Sequence, residues 1–143
     1  MVSFLEATIS LVLQIAVVTL LFVAIQLKNR KKYREHGSLM VAAVILHLIT
    51  VLAVMGPTFG TFFNSSGTIV FDATVIMSLI HVALGSIAVV IGIWIVASWH
   101  FKTDVKGCFT KKKIMGPTFA LWTLSALWGK IMYVIFWRSQ IIP

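Results

Sequence analysis

The chain has 143 residues, of which 59% are hydrophobic and only 11% are charged. Soluble domains carry about 25% charged residues, so this composition excludes an ordinary water-soluble domain and indicates a membrane protein. Lys and Arg outnumber Asp and Glu by 12 to 4. The basic residues stand in two short blocks beside apolar segments, which is typical of membrane topology and makes nucleic acid a poor partner. With Cys108 as the single cysteine, no intrachain disulfide or Cys-rich metal site can form.

Four apolar segments predict four transmembrane helices, at residues 4–27, 38–63, 69–99 and 114–137. Each has at least the roughly 20 residues that a helix needs to cross the hydrocarbon core. The predicted fold class is therefore all-α, a four-helix membrane bundle that forms one domain over residues 1–143. Gly56-Pro57 predicts an end or a kink in the second helix, because proline disturbs the helical backbone. The pentapeptide Met-Gly-Pro-Thr-Phe at 55–59 recurs at 115–119, and we interpret both copies as Gly-Pro helix ends.

Basic residues predict the orientation of the helices. Most of them lie in the connections 28–37 and 100–113, whereas the connection between the second and third segments has none. The positive-inside rule places those two connections in the cytoplasm and both termini on the non-cytoplasmic side. The first segment is expected to stay uncleaved, because its start has no positive charge and contains Glu6.

Polar side chains at membrane depth are the candidate functional residues, because they are costly in lipid and tend to face the bundle interior. The candidates within the spans are Asp72, Lys130, His47 and His81, and two more histidines, His36 and His100, lie at the cytoplasmic boundary. His47 precedes the Gly56 break by nine residues, and His81 follows Asp72 by nine. If the second helix ends at Gly56 and the third begins at Asp72, the two histidines lie at the same depth in the membrane. Because these helices are antiparallel neighbours, their imidazoles can face each other.

Two imidazoles from adjacent helices can hold a b-type haem iron or a copper ion. Met77 stands one turn before His81 and Met40 two turns before His47, and thioether sulfur beside imidazole suits Cu(I). An alternative of equal weight is that each histidine merely hydrogen-bonds a neighbouring helix. For the methionines the favoured interpretation is plain packing. For His36 and His100 the favoured interpretation is a solvated boundary residue, with cofactor binding second.

Asp72 and Lys130 carry opposite charges towards the same side, which predicts a structural ion pair and, less readily, a proton path. The sequence has no nucleophile–base set, no paired carboxylates and no phosphate-binding glycine loop. We therefore expect no catalytic activity of the chain's own. A transporter is also disfavoured, because four helices are few and no substrate-sized cluster of polar residues stands out.

The order of several motifs points to a known group. A basic connection leads into Arg34-Glu35-His36 with Met40 shortly after, and the third segment has His81 followed by Ala83 and Gly85. A Lys-rich connection then precedes Gly116-Pro117, Trp122, Gly129 and Tyr133. From residue 28 to residue 133 this order resembles the small four-helix, CtaM-like membrane proteins of domain-of-unknown-function family 420, which includes a cytochrome oxidase maturation factor.

The resemblance implies a protein that binds or handles haem or copper for a haem–copper oxidase in the plasma membrane of a prokaryote. It would act as an assembly factor or as a small b-type electron carrier. The alternative from another class is a small structural subunit, without catalysis, held by other membrane subunits of a larger oxidoreductase complex. A bound cofactor is expected in the first case and none in the second.

Overall fold

The computed structural model describes residues 4–57, 60, 73–99 and 105–141. This part of the chain is helical apart from one short turn. The helices are α1 (Phe4–Asn29), α2 (Tyr33–Thr50, continued by a π-helical turn at Val51–Met55), α3 (Ala73–Trp99) and α4 (Val105–Ile141). Four segments are long and apolar enough to cross a membrane: Phe4–Asn29, Tyr33–Met55, Val75–Ser98 and Lys113–Trp137. The predicted all-α class with four membrane-length helices is confirmed, and this architecture is that of a multi-pass membrane protein.

Two helices begin earlier than predicted. Helix α2 starts at Tyr33 instead of residue 38, and α4 starts at Val105 instead of residue 114. The second Gly-Pro pair therefore lies inside α4, and its interpretation as a helix end is wrong. Gly116 helps α4 to accommodate Pro117. The Cβ of the residue before a proline usually clashes with the proline ring, and glycine has no Cβ.

A three-residue turn joins α1 to α2. The Lys31 N–H donates to the Lys28 carbonyl, and the Lys32 N–H donates to the Leu27 carbonyl. Lys31 adopts the left-handed conformation, with φ of 62°. These are the two hydrogen bonds of a Schellman cap, with lysine at the position that glycine usually takes. The turn is so short that α1 and α2 must run antiparallel side by side.

The π-helical turn Val51–Met55 is the main irregularity of α2. The Gly56 N–H donates to the carbonyl of Val51, five residues back. Pro57 follows, and a proline ring inside a helix clashes with the carbonyl four residues before it, so a wider turn relieves the crowding. Gly56 and Pro57 are themselves still helical. The disturbance predicted at this pair, an end or a kink, takes the form of the π-helical turn that ends directly before it at Met55.

The four helices pack in cyclic order, α1 on α2, α2 on α3, α3 on α4 and α4 on α1. Nearer the α1–α2 turn lies a close-packed apolar cluster, which we call the packed half: Val17, Leu21, Ala43, Val44, Ala88 and Trp122. Large apolar side chains such as Leu5, Leu52 and Val90 are mostly exposed on the outside. Polar side chains including Thr50 and Ser125 are buried inside. An apolar exterior around a partly polar interior suits lipid as the surroundings.

Different contacts fasten the two ends of the bundle. At one end Phe4 packs on Trp137, with 5.4 Å between ring centroids, and Thr8 hydrogen-bonds Tyr133 at 2.8 Å. At the other end the Lys111 ammonium hydrogen-bonds the Ser98 hydroxyl and lies 5.5 Å from the Trp94 ring centroid. One end is thus aromatic, and the other is basic.

Candidate functional site

A cavity of about 320 Å³ lies between the four helices, beside the packed half and farther from the α1–α2 turn. All four helices contribute to its wall, which is mainly apolar. The polar residues of the wall are Gln14, His47, His81, Ser86 and Ser125. On one side the lining residues Val82, Ser86 and Val90 of α3 are also exposed, so the cavity opens through the side of the bundle. We call this region the cavity half.

His81 is held by α4. Its Nδ1 lies 3.1 Å from the Ser125 carbonyl oxygen, which can only accept, so Nδ1 carries the proton. Nε2 is then the ring nitrogen with a free lone pair. Metal-binding histidines commonly donate their other N–H to a backbone carbonyl in this way. Gly129 makes room for the ring, because a Cβ at that position would stand 2.8 Å from the His81 Cε1.

His47 is 8% exposed, and its ring meets the Trp122 ring edge-on at 4.9 Å. Its Nδ1 is buried and has no hydrogen-bond partner among the described residues. Leaving a buried polar atom unpaired costs about 1–3 kcal/mol, so this nitrogen needs an explanation. His47 also lines the cavity, and a ligand that turned the ring towards the cavity would relieve the unpaired atom. The structure therefore brings the two mid-span histidines to the same cavity.

Gln14 and Met55 of the cavity wall make a contact that the sequence candidates did not include. Gln14 is buried in α1, and its Nε2 lies 3.9 Å from the Met55 Sδ, within reach of an N–H···S hydrogen bond. Gln14 could have been found as an amide in the middle of an apolar span. Met55 could not, because its place depends on the π-helical turn. Two turns of regular helix take about 7.2 residues, and one inserted residue brings the eighth residue after His47 back to the same face.

The predicted methionine ligands lie elsewhere. Met40 packs against the apolar cluster, and the Met77 backbone carbonyl accepts a hydrogen bond of 3.0 Å from the Trp128 Nε1. Neither residue lines the cavity. Their proposed role in metal binding stays a prediction without support from their position.

His36 does not have the solvated side chain that we favoured. It is 6% exposed, its Nδ1 lies 2.7 Å from the Ala24 carbonyl oxygen, and its Nε2 is buried without a partner in the described part of the chain. The prediction of a solvated side chain is wrong because α2 starts at Tyr33, which places His36 within the helix and against α1. His36 does not line the cavity.

Asp72 and His100 lie outside the described residues, so their predicted roles stay predictions. Lys130, the predicted partner of Asp72, is on α4 and half-buried. Within residues 4–57, 60, 73–99 and 105–141, no three His, Cys, Asp or Glu side chains come together as metal ligands. A four-ligand zinc site of those residues is thus excluded from this part of the molecule.

These features define a class: an all-helical protein whose four membrane-length helices surround a cavity with two histidines in its wall. No protein-family model matches the chain, and searches of curated proteins and of solved structures find no match either. The resemblance to domain-of-unknown-function family 420 stays a prediction.

Proposed function

We propose that this chain is a multi-pass membrane protein of the respiratory chain that binds haem or a copper ion through His47 and His81. The observation that carries the proposal is the pair of imidazoles at one cavity. One of them has its lone pair freed by the hydrogen bond to Ser125, and the other has a buried nitrogen without a partner among the described residues. Ionisable side chains inside a membrane commonly mark function.

Insertion in a bilayer is supported by the apolar exterior and by the length of the four helices. The orientation that we propose has the basic α1–α2 turn in the cytoplasm and both termini outside, as the positive-inside rule requires. Exposed lysines at the turn and Lys113 at the start of the fourth span agree with this orientation. The cavity half then lies in the outer part of the bilayer.

A bound haem or copper ion would supply one-electron chemistry. The chain's own residues hold and shield the group. Ser125 fixes the proton of His81 on Nδ1, Gly129 leaves space for the ring, and Trp122 orients His47. The apolar wall excludes water. These roles fit an oxidase assembly factor, which the resemblance favours, or a small b-type electron carrier.

The test is the content of purified full-length protein, measured as a reduced-minus-oxidised spectrum together with iron and copper analysis. Stoichiometric haem or copper is expected in the wild type and is expected to be lost in His47→Gln and in His81→Gln. His36→Gln is the matched control and should retain the group, because His36 lies away from the cavity. If the wild type holds neither group after loading with haem and with copper, the proposal fails and a structural subunit becomes the better explanation.

Orientation is tested with Cys108, the only thiol in the chain. A membrane-impermeant maleimide should label it in inverted vesicles and leave it unlabelled in intact cells. Labelling from outside would reverse the proposed topology.

A further inference from the structure

We propose that Met55 is the third ligand of a Cu(I) site with His47 and His81. This inference rests on the proposed function and narrows it to one ion in one oxidation state. Its basis is that Met55, His47 and His81 line the same cavity, whereas Met40 and Met77, the methionines predicted as ligands, do not.

The π-helical turn sets the position of Met55. In a regular helix the eighth residue after His47 would be about 80° away around the axis, because each residue turns about 100°. The inserted residue removes most of that difference, so His47 and Met55 project from the same face of α2. Such turns are often found at functional sites, and this one begins four residues after His47.

Gln14 orients the sulfur. Its amide nitrogen lies 3.9 Å from the Met55 Sδ, and both side chains belong to the cavity wall. The amide is a donor to sulfur, which leaves the second sulfur lone pair for an ion. A flexible methionine side chain without such a contact would sample many rotamers.

Ligand chemistry favours Cu(I). Two imidazole nitrogens and a thioether sulfur form a soft, uncharged donor set, and soft sulfur ligands select Cu(I) over harder ions. No third His, Cys, Asp or Glu joins the histidines in the described part of the chain. Uncharged ligands leave the ion's charge uncompensated, and the cost of burying an ion rises with the square of its charge. A monovalent ion is therefore far cheaper to bury here than a divalent one.

The volume of the cavity also favours a single ion. The cavity of about 320 Å³ is at the lower limit of small-molecule sites, which measure about 300–1,000 Å³. One ion with its three ligands fits inside such a volume. A whole haem macrocycle would have to extend through the open side past α3.

The experiment is an anaerobic titration of the full-length protein with Cu(I) in competition with a chromogenic Cu(I) chelator. Met55→Leu, which conserves volume, should weaken Cu(I) binding by at least about tenfold. Met40→Leu is the matched control from the same helix and should stay within about twofold, because Met40 packs against the apolar cluster.

The outcomes separate this inference from the proposed function. If His47→Gln and His81→Gln lose the ion but Met55→Leu binds as the wild type does, the third ligand is overturned and the two-histidine site stands. If the wild type binds haem and no Cu(I), this inference fails alone. If it binds neither, both fail. Should Met55→Leu not fold, X-ray absorption on copper-loaded wild type decides, because a first shell without sulfur overturns the role of Met55.

Discussion

The packed half and the cavity half of the bundle use the same four helices in opposite ways. In the packed half Ala43, Ala88 and Gly92 let the helices approach, and Trp122 fills the space between them. In the cavity half, about one turn farther along the same helices, the side chains leave about 320 Å³ unfilled and include both histidines. In lipid, helix association depends on close packing more than on hydrophobicity. The packed half therefore supplies the stability that lets the other half keep an open cavity with two histidines in its wall.

Trp122→Ala should cause the largest loss of stability, because it removes the side chain that fills the packed half. Trp122 is 3% exposed and reaches from the apolar cluster to His47. Truncating a buried Trp usually costs 3–5 kcal/mol, and we expect about 3 kcal/mol here because lipid weakens the transfer term but not the cavity term. The measurement is the free energy of unfolding in mixed micelles. Leu124→Ala, on the same helix but 51% exposed, should change it by less than about 0.5 kcal/mol. Equal losses in both variants would refute the packing argument.

Two glycines of α3 compare the halves directly. A Cβ at Gly92 would stand 2.7 Å from the rigid Trp122 ring, whereas one at Gly85 would stand 3.3 Å from the Ser125 hydroxyl. We expect Gly92→Ala to lower the free energy of unfolding by about 1–3 kcal/mol through overpacking. Gly85→Ala should change it by less than about 1 kcal/mol, because the helix preference of alanine opposes the cost of moving the buried Ser125 hydroxyl by a few tenths of an ångström. A loss at Gly85 as large as that at Gly92 would mean that the two halves do not differ in packing as described.

Gly129→Ala should affect the site more than the fold. Its Cβ would stand 2.8 Å from the His81 Cε1, so the ring must move away from its place. We expect binding of the copper ion or haem to weaken by about tenfold, equivalent to about 1.4 kcal/mol, with a smaller change in the free energy of unfolding. The affinity is measured by titration with the copper ion or haem. His81→Gln is titrated in parallel and defines the complete loss of binding. Unchanged affinity would mean that binding does not need the His81 ring in its position against Gly129.

Lys31→Gly should give the smallest effect, and only on stability. Lys31 is exposed and adopts a left-handed φ of 62°, which is unfavourable for any residue with a Cβ. Glycine removes that strain but gains freedom in the unfolded chain, so the expected net gain is about 0.5–1 kcal/mol. Affinity at the cavity should not change. A loss of stability would show that the Lys31 side chain stabilises the fold by more than the left-handed backbone conformation destabilises it.

Much of the fold was accessible from the sequence, because a run of apolar residues of membrane length has few alternatives to a helix. The helix ends were less accessible. Lys and Arg around Tyr33 and Lys111 indicated connections, yet these residues lie within or beside helices α2 and α4. Charge predicts where a chain leaves the lipid, and a helix can continue past that point into water.

The site was predicted only in part. His47 and His81 stood out because ionisable residues are rare in such segments, and the count of residues from the helix ends placed them near each other. Met55 and Gly129 were noticed only as members of motifs, in the repeated pentapeptide and in the family resemblance, and no role in the site was predicted for either. Their roles depend on the π-helical turn and on the packing of α4 against α3, which are consequences of three-dimensional crowding.

The lateral opening beside Val82, Ser86 and Val90 determines how the imidazoles are reached. In the bilayer that we propose, this gap would face acyl chains, and an apolar ligand such as haem would reach the imidazoles from the lipid. A copper ion does not dissolve in hydrocarbon and would need a polar route or a carrier to reach the same nitrogens. Detergent tails would compete for the same lateral opening. Binding measurements are therefore expected to differ between lipid nanodiscs and detergent micelles.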